Sequence, residues 1–92
     1  MKFYLISDNV DTQMGMRLAG IEGVVVHEVS EVQKALQYCI DDEEIGVVLI
    51  TEKLKVLCPE LIYDIKLNRH RPLIVEIPDR HGEGRVKDSI TT

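Results

Sequence analysis

Ile45-Gly46-Val47-Val48-Leu49-Ile50 is the most continuously apolar and β-branched run in this chain, centred on residues 47–50. A strand with one wet face alternates polar and apolar residues. One that does not alternate is covered on both faces, which makes this strand central and parallel. Thr51 follows and suits the cap of a next helix.

Upstream, Phe3-Tyr4-Leu5-Ile6 is a compact apolar strand that stops at Asp8. After a turn around Asn9 and Asp11, Met14, Arg17, Leu18 and Ile21 recur at helical spacing, with Asp11 or Thr12 as the cap. Gly20 fits the C-terminal end of this helix, and Gly23 lies in the turn to the next strand. Gly15 inside the helix costs about 1 kcal/mol relative to alanine, so close packing is expected there. Val24-Val25-Val26-His27 is the second strand, short and polar at its end, as suits a sheet edge. Ser30 with Gln33 has capping-box spacing, and Val32, Leu36, Cys39 and Ile40 form a buried stripe with Ala35 beside them. Asp41-Asp42-Glu43-Glu44 oppose the negative end of the helix dipole, so the helix should stop there and leave them wet.

Downstream, Pro59 divides a helical turn over 52–57 from a fuller helix through Leu61, Ile62 and Ile65. Pro72 sets up the fourth strand, Leu73-Ile74-Val75-Glu76-Ile77, and Pro78 closes it. Alternation of strands and helices predicts right-handed crossovers and an α/β fold. The expected architecture is a three-layer αβα sandwich on a four-stranded parallel sheet of order 2-1-3-4, receiver- or flavodoxin-like. It spans residues 1–78, followed by a linker at 79–84 and the start of a C-terminal helix at 85–92, where Val86 and Ile90 stand four apart. Three helices and a fragment leave part of one sheet face thin, to be covered by further chain or by another protein.

The chain has 92 residues, 45% of them hydrophobic, and a net charge of −5. That length supports one core and one domain. The apolar fraction is too high for a disordered chain, and a negative total argues against non-specific nucleic-acid binding. No apolar run approaches the ~20 residues needed to span a bilayer. Met1-Lys2 followed by an apolar run that turns acidic at Asp8 reads as a first strand, not a signal peptide. Cys39 and Cys58 read as core thiols in a reducing, cytoplasmic compartment.

Ligands in open parallel sheets bind at the carboxyl ends of strands. A phosphate-accepting receiver needs an acidic cluster after strand one and an aspartate after strand three, so that Mg²⁺ can bridge to the phosphoryl group. Asp8 and Asp11 resemble part of that cluster, but Thr51 holds the acceptor position and its hydroxyl carries no charge. Turn-forming and capping are the simpler roles for the two aspartates. Gly82 and Gly84 lack the strand–turn–helix setting of a nucleotide loop. His27, His70 and His81 are scattered without zinc spacing. No catalytic, cofactor-binding or metal residue is assigned.

Glu76, a carboxylate inside an apolar strand, either faces a partner, points along the sheet end, or lies on a wet edge. Residues 1–50 carry three basic and nine acidic residues, net −6, whereas residues 51–92 carry eight and seven, net +1. Lys66, Arg69, His70 and Arg71 form a basic corner that either positions a protein partner or is a solvated helix end. Without interleaved aromatics it does not suit RNA. Elimination leaves a non-catalytic domain that works by contact with protein.

Three strings occur in order at strand–helix junctions: Gly15-Met16-Arg17-Leu18-Ala19-Gly20-Ile21, Leu49-Ile50-Thr51-Glu52, and Pro72-Leu73-Ile74-Val75-Glu76-Ile77-Pro78. Together they resemble the F subunit of the V-type/A-type rotary ATPase, bacterial and archaeal branch, across nearly the whole chain. The resemblance makes Asp8, Gly15, Arg17, Leu18, Gly20, Thr51, Glu52, Pro72 and Pro78 structural motif residues. It implies a non-catalytic central-stalk rotor component without cofactor or nucleotide site, bound to the coiled-coil D subunit. Such a stalk couples the A3B3 head to H⁺ or Na⁺ transport and reaches the membrane rotor through other stalk subunits, with no insertion of its own. The implied place is cytoplasmic and peripheral to the cell membrane. Family members carry a regulatory helical tail that reaches the head, of which residues 85–92 represent the start. Ser7 departs from the glycine usual before the first-strand aspartate. Contact with the D subunit is expected at Val24, Val25, Val26 and His27, with Glu76 and Arg85 contributing. A receiver-like signalling domain, or an interaction domain of another assembly, are the alternative readings.

Overall fold

The structure, a computed structural model, describes residues 1–78. The linker expected at 79–84 and the tail expected at 85–92, including Arg85, lie outside the described residues. Strand β3 (Ile45–Thr51) stands between β1 (Lys2–Ser7) and β4 (Leu73–Ile77), and β2 (Glu22–Val25) forms the far edge. All pairings are parallel and the order is β2-β1-β3-β4, as the alternation of elements implies. The connecting helices are α1 (Val10–Leu18), α2 (Val29–Asp41), and the pair α3 (Glu52–Leu57) and α4 (Pro59–Asn68). Pro59 begins α4 as a first-turn proline, where its missing N–H costs nothing.

Register sorts the side chains into two faces. Ile50 lies between Ile6 and Glu76 in one row across the sheet, and Val48 between Tyr4 and Ile74 in another. The apolar members of these rows build the main core with Val32, Leu36 and Cys39 of α2 and with Leu54, Ile62 and Ile65 of α3 and α4. Right-handed crossovers put α1 on the opposite face, against β1 and β2, where Leu5 is fully buried. Beyond it the same face is thinner: Phe3 and Val75 are partly exposed and Leu73 is 60% exposed. The small number of helices implies such a gap.

Local boundaries differ from the expectations in several places. Strand β2 begins and ends earlier than the valine run suggests, because β1 offers partners only as far as Ser7, which pairs with Val25. Val26 still donates its N–H to the Ser7 carbonyl at 2.8 Å, but its side chain is buried in the core. Helix α1 is capped by Asn9, not by Asp11 or Thr12: the Asn9 side chain accepts from the Asp11 N–H at 2.7 Å. Helix α2 starts at Val29 on a Glu28/Glu31 capping box instead of Ser30/Gln33. The Glu31 carboxylate accepts from the N–H groups of His27 (2.8 Å) and Glu28 (3.1 Å), so a longer side chain satisfies two donors at once. Those bonds hold the Glu31 carboxyl below its ordinary range.

The acidic end of α2 has a solution that its own sequence does not contain. Arg71, just before β4, donates from Nη1 to the carbonyls of Asp42 (3.0 Å) and Ile45 (2.9 Å) and from Nη2 to Ile40 (2.9 Å). A cation at the helix C-terminus complements the dipole and satisfies carbonyls that lack helical partners. Arg71 therefore leaves the solvated basic corner, in which Arg69 and His70 remain exposed.

Candidate protein-interaction surface

At the carboxyl ends of the strands, where an open parallel sheet would hold a ligand, the hydroxyls of Ser7 and Thr51 are engaged within the chain. Ser7 is buried and forms a tight turn with Asn9, donating from Oγ to its carbonyl at 2.9 Å and accepting its N–H at 2.8 Å. Thr51, also buried, donates from Oγ1 to Asp8 Oδ1 at 2.8 Å and accepts from the Asp8 N–H at 3.3 Å. The hydroxyl expected to cap α3 is thus spent across the sheet, and it makes no cap bond. Asp8, His27, Lys53 and Leu57 border an open cleft of about 320 Å³. One carboxylate held by a threonine, in a cleft that also presents a lysine and a histidine, does not make a Mg²⁺ cradle. No group of His, Cys, Asp and Glu suited to a metal occurs among the described residues.

The residues expected to meet a partner divide. Val24 and Val25 are half-buried, Val26 is buried and His27 is exposed. Their side chains offer little apolar surface, although β2 does present an open edge. Glu76 points to the helical side of the sheet, where one carboxylate oxygen meets Lys66 Nζ at 3.1 Å and Lys55 Nζ at 3.2 Å. Hydrogen bonds from these lysines, Lys66 first, hold its carboxyl below the ordinary range despite some desolvation. Glu76 is accounted for within the chain.

The motif residues also separate by role. Gly20, at φ +89°, ends α1 in a Schellman arrangement: Gly20 N–H donates to Arg17 O and Ile21 N–H to Met16 O, both at 2.9 Å. Pro72 is buried at the entry to β4, whereas Pro78 and Glu52 are exposed. The expectation that Gly15 permits close packing fails, since a Cβ placed there meets nothing within 4 Å.

Sequence reasoning missed the direction of the α1 stripe. Thr12 is buried, and Gln13 reaches the Gly23 carbonyl at 3.4 Å, so these residues face the sheet. Val10, Met14 and Leu18 are 55%, 56% and 91% exposed. Residues four apart lie about 40° apart around a helix, so the three form one outward apolar ridge. Their spacing is visible in the sequence; nothing there says that the ridge faces out. At its end a cleft of about 470 Å³ opens among Met1, Phe3, Ala19 and Ile21.

Comparison with known proteins gives the family to which this surface belongs. The family profile described as ATP synthase (F/14-kDa) subunit matches residues 4–92. The F subunit of the A-type ATP synthase of Thermococcus sibiricus is 34% identical over 89 residues, covering 89% of this chain and 78% of that protein. That of Thermococcus kodakarensis is 35% identical with the same coverage. That of Methanocaldococcus jannaschii is 38% identical over 84 residues, covering 90% of this chain and 80% of the relative. No helix among the described residues is long and apolar enough to cross a membrane. The chain therefore belongs to the F-subunit family of A-type and V-type ATP synthases, whose members are non-catalytic accessory components of the rotary ATPase.

Proposed function

We propose that this chain is a central-stalk rotor component that binds the coiled-coil D subunit and helps couple the A3B3 head to H⁺ or Na⁺ transport. Membership of the F-subunit family is the observation that carries this reading. The architecture supports it physically. A rotor element must pass load through a persistent interface, which calls for a rigid sheet and a partner surface, not a tuned active site. The domain is residues 1–78, followed by a linker at 79–84 and a tail from 85 that reaches the head. The protein sits on the cytoplasmic side, peripheral to the membrane, and meets the membrane rotor through other stalk subunits. The open edge of β2 at Val24 and Val25, with Val26 and His27 just beyond the strand, contributes contacts to the D subunit, together with Glu76 alongside its paired lysines and with Arg85.

Size-exclusion chromatography of the chain with its coiled-coil D subunit tests this. Co-elution as one stable complex is expected. Two separate peaks at micromolar concentration overturn the assignment.

A further inference from the structure

We draw no further inference here: the strongest candidate, the partly exposed apolar sheet face at Phe3, Leu73 and Val75, is an unpartnered surface, and nothing in the structure shows what covers it.

Discussion

Thr51 and Asp8, 43 residues apart, are tied by two hydrogen bonds, one through the Thr51 hydroxyl proton and one through the Asp8 backbone N–H. The tie joins the carboxyl ends of β1 and β3, where a receiver would assemble its Mg²⁺ and its phosphate acceptor. Thr51→Val removes both bonds at a buried position and should cost about 1–3 kcal/mol, read from urea denaturation. An unchanged midpoint would show that the tie contributes nothing. Incubation with acetyl phosphate and Mg²⁺ should leave the intact mass unaltered; a gain of one phosphoryl group would restore the receiver alternative.

Arg71 fastens the end of α2 to the start of β4. Arg71→Met leaves several C-terminal carbonyls without a charged donor, and a loss of about 2–3 kcal/mol is expected. Arg71→Lys should recover only part of it, because one ammonium cannot span the carbonyls that a planar fork reaches. Full recovery by lysine would mean that charge alone matters there.

Three glycines should respond in different senses. Gly15→Ala in an open helical position should stabilise the isolated chain by about 0.5–1 kcal/mol. Gly20→Ala forces an L side chain to φ +89° and should cost about 1–2 kcal/mol. Gly23→Ala should be the most damaging, since its Cβ would sit 2.5 Å from the Leu5 carbonyl oxygen. Thermal melts of the three variants give the ranking, and a destabilising Gly15→Ala would contradict the open site.

Acid should weaken the fold. Glu76 and Asp42 both have folded pKa values below their ordinary 4.5 and 3.8. The causes are the lysine hydrogen bonds at Glu76, and the Glu44 N–H followed by Lys2 at Asp42. A carboxyl with a depressed folded pKa contributes stability above its unfolded pKa and loses it as pH falls through the folded one. Urea midpoints should therefore decline as pH drops through and below 4.5, and Glu76→Gln should flatten that decline. An identical acid limb in the variant would remove Glu76 from the account.

Both thiols should be inert in the native chain. Burial pushes Cys39 up to about 12 and raises Cys58, whose Sγ also lies 3.3 Å from the Leu54 carbonyl. The thiolate is the reactive form. Alkylation at neutral pH should be slow when folded and reach two sites in denaturant; rapid native labelling would show that the core opens.

The sequence alone determined the element order, the central place of β3, the parallel sheet and the restart at Pro59. These follow from local signals: an unbroken apolar run, alternating periodicities, a proline that cannot continue a helix, and one permitted crossover hand. It also determined the family, through strings at three junctions. Tertiary structure alone decided which way the α1 stripe points, because periodicity reports the spacing of apolar residues and not the direction they face. The same limit applied to β2, whose ends depend on how far β1 extends, and to Glu76, whose lysines come from two separate helices. Arg71 was the least legible. Its acceptors are backbone carbonyls 26–31 residues away, and a carbonyl leaves no mark in a sequence.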